Sequence, residues 1–221
     1  MLEYKQLKIQ LLQPLHLPVQ HKNNNISSFL SLPDLAFSVG YSYNIKHNNT
    51  DITTIILKTL AMLLPVISGK VVYNNETISY KYLESHSYLR ENISYVFKDA
   101  IFLSNLSIME NLMLSLNFYY PRKSMLEKKL TIEKFISEHN LANFLNHRPS
   151  ELSKSLLKLF TILRVFLQNS KFIFFDSPFF LLDYTEAEIL NHILKEYQNE
   201  KCYIMSNSLP AQVDYNNILI T

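Results

Sequence analysis

Short apolar strands alternating with amphipathic helices predict an α/β fold: one domain over residues 1–221, with a helical insertion over 99–165. Three observations carry that expectation. Short apolar or alternating runs recur towards both ends of the chain. The middle instead holds helix-length segments whose apolar residues fall three and four apart. Hydrophobic residues make up 48 % of the 221 and charged residues 18 %, enough to bury a sizeable core.

The elements follow in order. Leu2, Tyr4, Leu7, Ile9 and Leu11 mark a strand over 2–11, and Pro14, Pro18 and the polar run His21 to Asn25 read as an irregular connection. Leu35 to Val39 is a second strand. Tyr43 to Thr50 is polar and reads as a loop, leading into an apolar helix, Ile52 to Leu64, that Pro65 stops. Ser68-Gly69 is a turn, followed by short strands Lys70–Tyr73 and Thr77–Tyr80 around Asn74-Asn75. Ile93–Phe97 is another strand. Ile108–Leu114, Met125–His139, Leu141–Leu145 and Leu152–Leu167 read as helices, the second with Leu126, Leu130, Ile132, Phe135 and Ile136 set among charges. Alternation then resumes. Phe172–Phe175 suits a strand buried on both faces. Thr185–Gln198 is a helix, and Cys202–Met205 and Ile218–Ile220 are strands.

Composition excludes several function classes. The chain holds two glycines, Gly40 and Gly69, where average usage near ~7 % predicts roughly fifteen. No glycine-rich phosphate cradle can be built from two glycines so placed. A net charge of +2 with scattered Lys and Arg gives no footprint for nucleic acid. The single Cys202 excludes an internal disulfide and any cysteine-cluster zinc site, and points to a reducing compartment. The seven histidines form no HxxxH or HExxH pair. The start MLEYKQLKIQ has no apolar signal core, and the longest apolar stretch, Ile55 to Ile67, is broken by Lys58. Any membrane association is therefore expected to be peripheral.

One string orders the rest: Lys171-Phe-Ile-Phe-Phe-Asp176-Ser-Pro178-Phe-Phe-Leu-Leu-Asp183. It resembles the Walker B and D-loop segment of ABC-type ATPases. Pro149-Ser-Glu-Leu152-Ser153, followed by a helix carrying Arg164, is similar to the signature segment. Leu89 to Phe97, then Leu106-Ser-Ile-Met-Glu-Asn-Leu112, resembles the Q-loop strand and the start of the helical subdomain. Leu63 to Val71 resembles the turn after the P-loop helix, and Cys202 to Ser206 the strand before the switch histidine. The chain is thus identified as a member of the ABC-transporter nucleotide-binding domains, in a degenerate form. The resemblance implies a P-loop-NTPase-like ABC ATPase core with an antiparallel β subdomain and a helical subdomain. Asn111-Leu-Met-Leu-Ser-Leu is also similar to ATPases of lipid-trafficking and export complexes in bacterial envelopes.

The departures from the family pattern fall on its chemistry. The Walker A segment lands on His47 to Thr54, without glycine: Thr53 stands at the phosphate-binding Lys and Thr54 at the hydroxyl that holds Mg²⁺. Asn48, Asn49 and Asp51 crowd the approach to the phosphates. Lys98 stands at the Q-loop glutamine, where a cation would repel a metal or stand in for it. The signature reads Leu152-Ser153-Lys154-Ser155-Leu156. Ser177 replaces the catalytic Glu and Asn207 the switch His, while Ile9 or Leu11 stands for the adenine-stacking aromatic. A missing general base commonly costs on the order of 10²–10⁴ in rate. The nucleotide-binding positions, if any is retained, are therefore Thr53, Thr54, Lys98, Ser153 and Asp176, with Thr54 and Asp176 on a metal and Asp183 at a dimer D-loop.

Each residue also has a plain structural reading. Asp176 can simply hydrogen-bond a neighbouring loop, Asp183 can cap the helix near Thr185, Arg164 can make an internal salt bridge, and Lys98 and Lys154 can be solvated. In the resemblance, Phe102, Leu103, Met109, Met113, Phe118, Tyr119 and Tyr120 fall where a groove receives a coupling helix from the membrane subunit, most of them as core. Three functions follow: a structural or regulatory pseudo-ATPase of a membrane transport complex, a residual ATP-binding or ATP-hydrolysing subunit, or a transport-independent cytosolic adaptor. The first expects no cofactor; ATP and Mg²⁺ belong to the second alone. The expected partners are a membrane permease subunit, another ABC ATPase subunit, or both, at the cytoplasmic face of the inner membrane. Because Walker and signature motifs are both altered, pairing with an active ATPase would leave neither composite site complete, which favours a scaffold.

Overall fold

The computed structural model describes residues 1–11, 28–78, 91–206 and 216–220. Two sheets form its frame. The antiparallel one takes β1 (Leu2–Leu11), β2 (Ser28–Ser31) and β3 (Leu35–Phe37). Strand β4 (Ser42–Lys46) belongs to the other sheet, whereas β5 (Ser68–Tyr73) and β6 (Glu76–Ile78) return to the first. The antiparallel order is β2-β1-β5-β6, with β3 also paired to β1. The second sheet is parallel, in the order β10-β4-β9-β8-β7, where β7 is Ile93–Val96, β8 Phe172–Asp176, β9 Cys202–Ser206 and β10 Asn216–Leu219. The helices are α1 (Thr50–Leu60), α2 (Ile108–Tyr119), α3 (Met125–Glu138), α4 (Lys154–Phe166) and α5 (Tyr184–Glu196). This is the expected α/β core with an antiparallel sheet and a helical insertion.

The period-2 geometry of the central strands explains why their runs are wholly apolar. Phe172, Phe174, Cys202 and Ile204 point to one face, into a core shared with α1 and the antiparallel sheet. Ile173, Phe175, Tyr203 and Met205 point to the other, into a core built with α2 to α5. Both faces of β8 and β9 are covered, so no polar alternation is tolerated. Helices α2 and α3 start at reciprocal capping boxes, Ser107 with Glu110 and Ser124 with Glu127, which fix their first turns locally.

Several boundaries differ from expectation for identifiable reasons. The polar segment after Tyr43 is not a loop: β4 lies between β9 and β10. Only Ile45 gives it a strong apolar signal, and buried Asn44 donates through Nδ2 to Asn217 Oδ1 at 3.3 Å on β10. β2 was not anticipated. α1 starts two residues earlier than predicted, at the Asn49 cap, and ends at Leu60 because Met62 turns left-handed (φ 61°), before Pro65 is reached. α2 runs on to Tyr119, Leu141–Leu145 shrinks to a 3₁₀ turn at Ala142–Phe144, and α4 begins after Ser153. The connection through Pro14 and Pro18, and residues 79–80 of the predicted strand, lie outside the described residues.

Phe174 is fully buried on β8 and meets Phe37 edge-on at a centroid distance of 6.4 Å. Phe174→Ala is expected to cost about 3–5 kcal/mol by loss of burial plus the cavity left behind. Urea unfolding followed by circular dichroism measures it, with the transition midpoint falling at unchanged slope.

Candidate functional site

The C-terminal ends of the parallel strands bring together Thr54, Asp176 and Ser177 of the residues that the sequence singles out. β8 ends at Asp176, a residue that is 2 % exposed. A buried carboxylate is costly unless its lone pairs are filled, and here hydroxyls from three other elements fill them. Thr54 Oγ1 on α1 donates to both Asp176 oxygens at 3.1 Å. Tyr95 OH on β7 donates to Oδ2 at 3.2 Å, and Ser206 Oγ on β9 to Oδ1 at 3.0 Å. Ser177 Oγ adds a longer contact to Oδ1 at 3.5 Å, and its backbone N–H donates to Ser206 Oγ at 3.1 Å. Burial, and then the adjoining Asp176 charge, push the Tyr95 phenol far above its ordinary range, so Tyr95 stays a donor.

Two N–H groups in the first turn of α1 are satisfied by the chain's own side chain. Asn49 Oδ1 accepts from the N–H groups of Asp51 (2.8 Å) and Ile52 (3.4 Å), and the Asn49 N–H donates to His47 Nδ1 at 2.9 Å. These are the orphan donors that a bound anion would otherwise use. The Thr53 side chain is buried and donates to Asn49 O at 3.2 Å, one turn back along its own helix. Asp51 places a carboxylate in the same first turn.

Beneath this end lies a residue that sequence reading passed over. Lys158 on α4 is fully buried, and its ammonium donates to Phe97 O at 2.7 Å and Lys98 O at 2.9 Å. It fastens the chain just beyond β7 to the helical layer. Burial pulls its pKa down to about 8, against the opposing pull of Asp176 and then Asp99. Its signal was present in the sequence: a lysine inside Leu156-Leu-Lys-Leu-Phe160 needs a buried partner. Tyr95 and Ser206 gave no such sign.

Lys98, Ser153, Lys154, Asp183 and Arg164 do not join the Asp176 cluster. Lys98 is exposed, its ammonium 4.6 Å from the centre of the Phe180 ring. Ser153 caps α4, accepting from Leu156 N–H at 3.1 Å, and Lys154 is exposed. Asp183 holds the N-cap position of α5 without a side-chain cap bond; its own N–H donates to Ser155 Oγ at 2.7 Å. Arg164 makes no salt bridge among the described residues. It donates instead to Ile101 O at 3.1 Å and lies over the Phe102 ring. Ser177 is buried and left-handed (φ 49°), a conformation that costs a non-glycine residue about 1 kcal/mol. Ile9 and Leu11 lie on β1, and Asn207 falls outside the described residues.

A cleft of ≈ 680 Å³ opens beside β7, between α2 and the chain after α1. Phe102, Leu103, Phe118 and Tyr119 line it, as the sequence suggested; Met109, Met113 and Tyr120 pack into the helical core instead. A polar seam runs along one side, where Ser94 Oγ donates to Gln168 Oε1 at 2.7 Å and Gln168 Nε2 donates to Ser115 Oγ at 2.6 Å.

The family described as ABC transporter matches residues 53–180. The lipoprotein-releasing system ATP-binding protein LolD of Wigglesworthia glossinidia brevipalpis is 29 % identical over 138 residues, 61 % of this chain. That match spans 58 % of the relative's own length. Among solved structures, the ATP-binding cassette MJ0796, as a dimer in a post-hydrolysis state with ADP and Pi, superposes with a TM-score of 0.77 at 20 % identity, covering 100 % of this chain and 94 % of that one. CbiO1 of Clostridium perfringens, described as part of the ABC transporter complex CbiONQ, gives 0.74 at 17 % identity over 100 % and 84 %. At these identities the structural likeness speaks to fold alone.

Two measurements check the site. Asp176→Asn is expected to cost about 1–2 kcal/mol and Asp176→Ala about 3 kcal/mol, as the hydroxyls of Thr54, Tyr95 and Ser206 lose their acceptor. Thermal unfolding should fall by ~2–4 °C per kcal/mol. For Lys158 the folded pKa, about 8, lies below the ordinary 10.5, so the folded chain holds fewer protons between those values. Stability relative to Lys158→Met should therefore rise with pH across that window, by up to ~1.4 kcal/mol per pH unit, and stay flat below it.

Proposed function

Because the chain belongs to the ABC transporter family, we propose that it serves as the ATPase-like subunit of a membrane transport complex, in a structural or regulatory role that requires no ATP hydrolysis. The observation that carries this reading is the start of α1. There Asn49 Oδ1 occupies the Asp51 and Ile52 N–H groups, where a phosphate would need open donors. The residues around it fit a triphosphate poorly. Asp51 adds negative charge, Thr53 is turned into its own helix, and no lysine lies between His47 and Thr54. A metal ion between Thr54 and Asp176 would first have to break their direct hydrogen bond. Ser177, next to Asp176, is a poor general base for activating water.

The proposed partner is a membrane permease subunit, seated in the cleft beside β7. An apolar cleft at the edge of a helical layer suits a docked helix from another chain. None of the described helices is long and apolar enough to cross a membrane. The chain would therefore reach the membrane through that partner.

A second reading rests on Thr54 and Asp176, which lie within hydrogen-bond distance of one another on the two elements that would share a metal ion. On that reading the chain keeps residual ATP binding or hydrolysis. Calorimetric titration of the purified chain with ATP and Mg²⁺ separates the two. The structural role expects no heat of binding at millimolar nucleotide; micromolar affinity, or turnover lost in Asp176→Asn, contradicts it. Capture from solubilised membranes is expected to recover a permease subunit. Recovery of neither a permease nor a second ATPase would favour a cytosolic adaptor instead.

A further inference from the structure

The outward face of α3 lies apart from both the Asp176 cluster and the cleft. Lys128, Ile132, Phe135 and Ile136 turn inward, and the Lys128 ammonium donates to Asn117 Oδ1 on α2 at 2.9 Å. Leu126, Leu130 and Lys134 follow one another at four-residue steps along the opposite side. Leu126 is 66 % exposed and Leu130 55 %, and Met125 also stands out into solvent. Arg122 and Lys123 are exposed in the turn before the helix, and Lys129 and Lys134 on the helix itself. The capping box fixes this start: Ser124 N–H donates to Glu127 Oε2 at 2.7 Å, and Glu127 N–H to Ser124 Oγ at 3.2 Å. The apolar and cationic side chains are thus presented together from a well-held first turn.

Two leucines and a methionine on a convex helix face suit a soft surface that yields around them. The charges beside them say which surface. Cations outnumber carboxylates over residues 122–138. Of the three carboxylates, Glu127 is held in the capping box, Glu133 pairs with Lys129 at 3.7 Å, and Glu138 ends the helix. The Lys123 ammonium lies 4.4 Å from the centre of the Tyr120 ring, and long cationic stems of this kind can run along apolar surface to a polar boundary. We propose that α3 rests on an anionic bilayer surface, with Met125, Leu126 and Leu130 entering between headgroups and Arg122, Lys123 and Lys134 meeting lipid phosphates. Shallow apolar insertion or a few cations alone anchor a protein weakly; the two together hold it. This contact is the chain's own, and it stands whether or not a permease occupies the cleft.

Flotation of the full chain with lipid vesicles tests the proposal. Vesicles of equal parts phosphatidylglycerol and phosphatidylcholine should carry the chain, and pure phosphatidylcholine should bind it ~10-fold more weakly. Salt at about 1 M, which shortens the Debye length to about 3 Å, should bring the anionic binding down towards the neutral value. Leu126→Ser with Leu130→Ser should abolish flotation with the circular dichroism spectrum unchanged. Lys123→Gln with Lys134→Gln should cost ~10-fold on the anionic vesicles alone. Lys195→Gln, exposed on α5, should cost nothing. Flotation with neither vesicle, equal flotation with both, or flotation untouched by the leucine pair overturns the proposal. So does self-association of the chain that the leucine pair removes, which would make the ridge an interface between two copies.

Discussion

One buried carboxylate organises the end of the parallel sheet where ligands of such folds usually bind. Asp176 sits at the tip of β8 and takes hydroxyls from α1, β7 and β9. Each bond to a buried charge contributes on the order of 1.5–3 kcal/mol, more than a neutral bond, and each hydroxyl fixes a different element. The start of α1 is tied to β8 through Thr54, β7 through Tyr95 and β9 through Ser206. Lys158 completes the arrangement from below by holding the two carbonyls beyond β7. These contacts are made by groups of the chain itself.

That self-sufficiency goes with the absence of glycine between His47 and Thr54. A phosphate cradle needs backbone N–H groups left open at a helix start, and glycines that let them converge. Asn49 closes the helix start with its own side chain, as an ordinary N-cap does. An end built this way is stable as it stands, and the proposed structural role asks nothing more of it. The cleft on the neighbouring face is built in the opposite manner, with exposed aromatic rings and an arginine that pairs with no carboxylate among the described residues. On the proposed reading, the chain is closed towards nucleotide and open towards protein.

Much of this was legible in the residues. The runs Phe172–Phe175 and Cys202–Met205 announce strands covered on both faces, and the helical insertion shows in its spacing. β4 was hidden because its inward positions include Ser42 and Asn44, whose burial depends on neighbours that sequence pattern does not display. At the site, the strand–Asp–Ser–Pro string drew attention to Asp176, and the resemblance of His47 to Thr54 to a Walker A segment, spaced back from Ser68-Gly69, singled out Thr54. Tyr95 and Ser206 escaped notice because a hydroxyl carries no periodic signal and the four segments meet only in three dimensions. Arg164 was expected to find a carboxylate inside the chain; its actual partners are a carbonyl and a ring, a distinction of geometry rather than composition.

The central claim is that the start of α1 is satisfied by Asn49 and needs no bound anion. Amide hydrogen exchange at Asp51 and Ile52, with and without millimolar Mg²⁺ and ATP, tests it most directly. The account predicts protection of both amides in the free chain and no change when nucleotide is added. Fast exchange in the free chain that slows on adding ATP would contradict it.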